Sequence, residues 1–409
     1  MFLTLSINNF YLYITHQLGF ASCKDNADRF KLVFGRGLFI QLVNLIFVKQ
    51  FRYMIRSKIA GIGKYVPDNV VDNNKLSTMM DTSDEWIRER TGIEERRYAK
   101  RYEETTSTMG AKAALIAIER AGINKEDIDF IIFATLSADY YFPGCGVLVQ
   151  RELGITKTEI GALDIRNQCT GFVYGISVAD QFIKSGMYKN ILLIGAEMHS
   201  MGLNYSTEGR DISVIFGDGA GAVVLQATEE ENKGILTSKL HSDGTYAEKL
   251  ALISPGSHGG YHNRYLEVDV DYGFSEEHEF GDVFVTPKML EDGHTYPFMD
   301  GKFVFKMAVQ KFPEVIMEAL ESANKKTTDI SMLIPHQANL RISQYVQKKL
   351  GLNDHQVYNN IQKYGNTTAA SVPIALCEAW EEGKIKEGDL ICLAAFGSGF
   401  TWGATLLHW

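Results

Sequence analysis

The sequence predicts an α/β fold built from two similar halves, and three observations carry that expectation. Helical and strand-like stretches alternate from Met54 to Trp409, the pattern of layered α/β domains. Ser107–Ala121 has Ala and Ile at helical spacing, stops at Gly122 and precedes the apolar run Asp129–Leu136; Val315–Ala323 and Asp329–Ile334 repeat this about two hundred residues later. Aligning Asp127-Ile128 with Asp329-Ile330 also superposes Glu119 on Glu321 and Ala121 on Ala323, as an internal duplication requires.

In chain order, residues 1–53 are rich in Phe, Leu, Ile and Asn without a sustained helical or strand period. They read as a non-native or loosely attached extension, with a membrane-surface anchor as the alternative. Lys58–Pro67 is the first strand and turn of the compact part. The first half, 54–228, runs on to a helix over Thr170–Ser185, closed by Gly186 and followed by a strand at Asn190–Ala196. The second half, 229–409, mirrors it with Thr367–Glu382, Gly383 and Asp389–Ala395. Matching the two glycines sets Cys169 opposite Asn366, each where a loop enters a central helix; chance similarity between helix–strand units competes with this second match.

The glycine-rich Phe216–Ala222 reads as a tight turn and strand, with Asp218 structural, because apolar Val223-Val224-Leu225 follows it instead of a phosphate-binding helix start. The stretch of about 254–300 holds His258, His262, His278, Gly259-Gly260 and many acids. Its histidine spacing fits no metal-ligand template, so no metal is assigned.

Composition narrows the function. The chain has 409 residues, 45% hydrophobic and 22% charged, with a formal charge of −9, which excludes a general nucleic-acid surface. Five cysteines, odd in number and without a C-x-x-C pair, point to the reducing cytoplasm and to neither a disulfide framework nor a zinc site. The longest apolar run, Gly37–Val48, is too short for a membrane span, and no signal peptide is assigned.

Three short segments carry chemistry: Asn167–Phe172 with Cys169, Pro335–Asn339 with His336, and Tyr364–Ala369 with Asn366. A thiol can hold an acyl group, while an imidazole and a carboxamide can together hydrogen-bond a thioester enolate oxygen. Cys169 stands before an apolar small-residue helix whose N–H groups and dipole favour a thiolate; a buried inert cysteine is the competing explanation. A satisfied structural histidine and an ordinary Tyr-Gly-Asn turn are the corresponding alternatives for His336 and Asn366. The combination says more than any member.

The chain from Met54 to Trp409 resembles the thiolase-fold condensing enzymes, specifically the β-ketoacyl-acyl-carrier-protein synthase III family. The resemblance rests on Asp81–Ile87 with Arg90–Ile93, Cys169–Phe172, Phe216–Ala222, Pro335–Asn339, Tyr364–Ser371 and Phe396–Gly403. It implies a duplicated, five-layered αβαβα thiolase fold, a homodimer, and an acyltransferase of fatty acid synthesis. That enzyme performs a decarboxylative Claisen condensation of an acyl-CoA, or acyl-carrier protein, with malonyl-acyl-carrier protein. Thioesters are substrates and no cofactor is needed.

It further implies Cys169 as nucleophile, the backbone N–H groups of Cys169 and Ser398 as the oxyanion hole, and His336 and Asn366 as enolate donors. Trp86 and Arg210 would sandwich the CoA adenine, with Arg90 at the nucleotide, Asn339 at the substrate and Phe142 limiting the acyl pocket across a dimer. Lys306, Arg341 and Lys348 would dock the carrier protein. Ordinary surface or interface roles compete for Trp86 and Arg210, and a solvated charged face competes for the three cations.

Compared with compact members of that family the chain is longer, chiefly over about 254–300, an insertion that caps the surface or alters a tunnel mouth. The wording around the nucleophile, Asp164–Cys169, departs from the small-residue run of housekeeping members and looks like relatives from secondary metabolism. The alternatives are therefore a specialised enzyme joining longer acyl or β-ketoacyl chains, and a catalytically silent partner subunit that binds acyl-carrier protein.

Overall fold

Two sheets of one plan run through the molecule. The computed structural model describes residues 55–409 apart from 157–158, 267–268, 276 and 278–282, and Ile55–Trp409 forms one unit. The extension expected at 1–53 lies outside the described residues.

Strands β1 (Arg56–Tyr65), β2 (Phe130–Ala134), β3 (Gly161–Ile165), β4 (Asn190–Glu197) and β5 (Gly219–Thr228) form one sheet in the order β1-β5-β4-β2-β3. Strands β6 (Gly234–Ser242), β7 (Met332–Pro335), β8 (Leu390–Gly397) and β9 (Thr401–His408) form the other in the order β6-β9-β8-β7. Directions match as well: β1, β5 and β4 pair antiparallel and β4 and β2 parallel, as do β6, β9, β8 and β7 in turn. Only β3 lacks a full counterpart, which is reduced to a parallel bridge between Leu333 and Val357.

Among the described residues, seven helices of eight residues or more position the rest: α1 (Asp84–Thr91), α2 (Thr106–Ala121), α3 (Cys145–Leu153), α4 (Gly171–Lys184), α5 (Gly301–Ser322), α6 (Leu340–Leu350) and α7 (Ser371–Glu381). α4 and α7 are apolar on most sides, as a helix enclosed between sheets must be. Phe172 and Ile176 of α4 and Val372 and Leu376 of α7 share one core with Ile132 and Leu193 of the first sheet and Ile334 and Leu393 of the second. α2 covers the outer face of the first sheet and α5 and α6 that of the second. The layers are therefore α, β, α, β, α.

The register of the second repeat differs from the glycine match. Each central helix is entered through a 3-10 turn, Gln168–Thr170 and Thr368–Ala370. Gln168 (φ 44°) and Thr368 (φ 48°) occupy the same left-handed conformation. α4 has 14 residues and α7 has 11, so aligning helix ends shifts the starts by three. Cys169 is the counterpart of Ala369, and Asn366 lies just upstream. α5 also begins far earlier than Val315, because Pro313 sits inside it and hides its first turns from a periodicity reading.

The insertion is anchored by a two-stranded ribbon, Leu250–Ala251 against Phe298–Met299. Asp218 accepts from Ala99 N (2.7 Å), Ser200 N (2.9 Å) and Ser200 Oγ (2.5 Å), the structural role read from the sequence. His262 and His278 are among the side chains not described.

Candidate active site

A cavity of about 1410 Å³ opens between the two halves, lined by Cys169, His336, Asn366 and Ser398. The duplicated topology brings them together, since each central turn is pressed by a strand of the other sheet. A Cβ built on Gly397 of β8 would fall 2.5 Å from Cys169 Cβ, and one on Gly195 of β4 would fall 2.3 Å from Ala369 O. Glycine at these two positions permits the approach.

Cys169 is buried, and its thiol is pushed up to about 12 by burial and then by Glu197, against the backbone N–H groups of Ser398 and of Cys169 itself, which point at the sulfur. This corrects the expectation of a helix-activated thiolate: in the resting chamber, loss of water outweighs the two N–H groups. Those same N–H groups are where the resemblance put an oxyanion hole.

His336 ends β7 and is buried, its ring held neutral to about pH 3 by burial. Nδ1 lies 2.6 Å from Ser371 Oγ, which also accepts from Gln337 N at 3.4 Å. With an N–H already donating to it, the hydroxyl has its proton free for Nδ1, and we assign the other ring proton to Nε2. Nε2 is buried without a partner among the described residues. Asn366 is fixed by Asn366 N to Ile215 O (2.9 Å) and Gly217 N to Asn366 O (3.1 Å). Its Oδ1 accepts from Thr368 N at 2.8 Å, which leaves the NH2 end as the available donor on the cavity wall.

At the outer end, Ser83 caps α1 by accepting from Trp86 N at 3.1 Å. Trp86 and Arg90 line the cavity, and the guanidiniums of Arg90 and Arg210 lie 4.4 Å and 5.3 Å from the Trp86 ring centroid. Arg210 is anchored on Asp81 O at 2.6 Å. A base stacked between Trp86 and Arg210 needs about 7 Å, two van der Waals contacts, so Arg210 has to move outward to admit one. Asn339 caps α6 through Arg341 N (2.9 Å) and donates to Arg90 O (2.9 Å). Both ends of its amide are engaged, which makes it a brace between α1 and α6.

Arg341 reaches the mouth over Phe305 (5.8 Å), and Lys302 lines the same rim. Lys306 and Lys348 are exposed outside it. Phe142 is 79% exposed in the single chain and packs edge-on to Tyr141. Sequence reasoning passed over two residues. Glu197, fully buried, accepts from Thr135 Oγ1 (3.0 Å), Ser137 N (3.1 Å) and Ala369 N (3.3 Å). Its signal was an acid ending the apolar run of β4. Ser371 closed the Tyr364–Ser371 stretch but gave no sign of a role of its own.

A thiol, a neutral imidazole and a carboxamide around one chamber, on two sheets with two buried helices between them, define a thiolase-fold condensing enzyme. Family models of 3-oxoacyl-[acyl-carrier-protein] synthase III match residues 163–244, and of its C-terminal part residues 320–409. A β-ketoacyl-[acyl-carrier-protein] synthase III from Clostridioides difficile is 45% identical over 354 residues, 87% of this chain and 98% of its own. The crystal structure of 3-oxoacyl-[acyl-carrier-protein] synthase III from Aquifex aeolicus superposes with TM-score 0.73 at 42% identity, over 86% of this chain and 100% of that one. The priming β-ketosynthase of the R1128 polyketide pathway gives 0.72 at 30%, over 86% and 96%. The chain belongs to the β-ketoacyl-[acyl-carrier-protein] synthase III family.

Proposed function

We propose that this chain joins an acyl-CoA primer to malonyl-acyl-carrier protein through an acyl-cysteine at Cys169, the first condensation of a fatty acid. The observation that carries it is the donor arrangement of the chamber: two backbone N–H groups at the sulfur, and an unpartnered His336 Nε2–H and Asn366 NH2 on the wall beside it.

In the first step the Cys169 sulfur attacks the acyl carbonyl and the oxyanion sits on the N–H groups of Cys169 and Ser398. The carbon–sulfur bond to CoA then breaks, and the thiol proton ends on the CoA sulfur. In the second, malonyl thioester loses carbon dioxide and the electron pair passes into an enolate whose oxygen accepts from His336 and Asn366. The carbanion attacks the acyl-cysteine, its carbon–sulfur bond breaks, and the freed thiolate takes up a proton. A neutral His336 suits this role, because it donates without competing for the proton.

Trp86, Arg90 and Arg210 receive the CoA nucleotide, and Lys306, Arg341 and Lys348 the acidic carrier protein. None of those last three forms an ion pair among the described residues, so their charge is available. The working protein is a homodimer in which exposed Phe142 meets the second copy. Four of its cysteines are free and buried, which fits the cytoplasm. No helix among the described residues is long and apolar enough to cross a membrane.

Intact mass spectrometry after incubation with acyl-CoA tests the reading: one acyl adduct forms and is lost in Cys169→Ala. Asn366→Ala should keep the adduct yet suppress condensation by about a hundredfold or more, the scale of an oxyanion donor. An adduct that survives Cys169→Ala, or equal loss of both steps in Asn366→Ala, would overturn the assignment.

A further inference from the structure

Resting on the acyl-cysteine reading above, we propose that the acyl chain loaded here carries a second, anionic carboxylate at its far end, and that Arg166 selects it. Arg166 leaves edge strand β3 three residues before the nucleophile and lines the same cavity. Ile165 O accepts from Thr135 N at 3.2 Å, so Arg166 stands beside the turn that follows β2. Thr106 Oγ1 donates to Ser137 O of that turn at 2.6 Å, which brings the start of α2 to the same wall.

The polar groups of this wall are unevenly satisfied. Its two acids are occupied: Asp139 accepts from Thr105 Oγ1 (2.8 Å) and Ser107 N (2.9 Å), and Glu104 from Lys112 Nζ (2.9 Å) and Lys100 N (3.0 Å). Its donors are not. The guanidiniums of Arg166 and Arg101, the Gln168 carboxamide and the Tyr140 hydroxyl all line the cavity; Arg166, Arg101 and Tyr140 are exposed and Gln168 half-buried, and none has an acceptor among the described residues, so solvent is what they face. A neutral alkyl chain would leave all four donors to solvent. A carboxylate takes the Arg166 fork bidentately and has lone pairs left for Gln168 or Tyr140.

The test compares glutaryl-CoA with valeryl-CoA, chains of equal length with and without the terminal carboxylate, by the rate of thioester formation on Cys169 in intact mass spectra. Wild type is expected to load glutaryl at least about tenfold faster. Arg166→Met should shrink that ratio about tenfold, Arg166→Lys should restore part of it, and added salt should narrow it in wild type more than in Arg166→Met. A wild-type preference for valeryl, or a ratio unchanged in Arg166→Met, overturns the proposal. So does a change confined to subunit assembly in native mass spectra, which would place Arg166 in an ion pair between copies. Failure of every thioester to acylate Cys169 is a different result, and removes the acyl-cysteine reading itself.

Discussion

A buried histidine can present either ring nitrogen as its donor, and at His336 the neighbour decides. Gln337 N donates to Ser371 Oγ, and with the hydroxyl proton assigned to Nδ1, Nε2 is left as the ring donor on the chamber wall. Ser371→Ala removes that bias. The variant should load acyl-CoA at the wild-type rate but release carbon dioxide from malonyl-carrier protein about three- to tenfold more slowly, the worth of one hydrogen bond. Equal slowing of both steps would count against the tautomer argument. The residue identities at the site were legible because a thiol, an imidazole and an amide each sat in a telling segment. Their electrostatics were not: the thiol's position before a helix is visible in sequence, whereas its burial and its proximity to Glu197 depend on which elements fold over it.

At the scale of elements, the decisive contacts are the two where a strand of one half presses on the entry turn of the other. Gly397 of β8 has no room for a methyl against Cys169. Gly397→Ala should therefore cost about 1–3 kcal/mol in stability through overpacking. Chemical denaturation checks this, and acylation of Cys169 should fall far more than that loss explains. Wild-type loading in a folded Gly397→Ala protein would mean the turn is looser than the contact requires. The duplication was readable where local propensity and packing agree, as in α2 followed by β2. It slipped by three residues at α7, because matching glycines fixed the helix ends while the sites lie at the helix starts. Pro313 concealed the beginning of α5 for a related reason: proline usually breaks a helix, and only packing on β9 and β8 keeps this one continuous.

For the whole molecule, the buried histidines make stability depend on acidity. Burial lowers His199 and His336 to about 3, whereas in an unfolded chain both titrate near 6.5. Below about pH 6.5 the unfolded state gains protons that the fold refuses, so stability is lost as pH falls from 6.5 towards 3, by about 1.4 kcal/mol per unit for each ring. Burial also raises Glu197 to about 7, and a carboxyl that holds its proton more tightly in the fold gains stability over the same fall in pH, offsetting about one ring. Melting temperatures between pH 7 and 5 should therefore decline by the excess of the second ring, and His199→Gln, which removes one of the two, should flatten the decline; an identical slope would show that His199 takes up a proton in place. The closure of the Cys169 turn by Gly397 has a consequence in time as well. More than two hundred residues separate them in the chain, roughly ten to forty-five seconds of translation at about 5–20 residues per second. The sulfur leaves the ribosome long before its lid is made, so a growing chain carries an unsheltered thiol that electrophiles in the cell can reach.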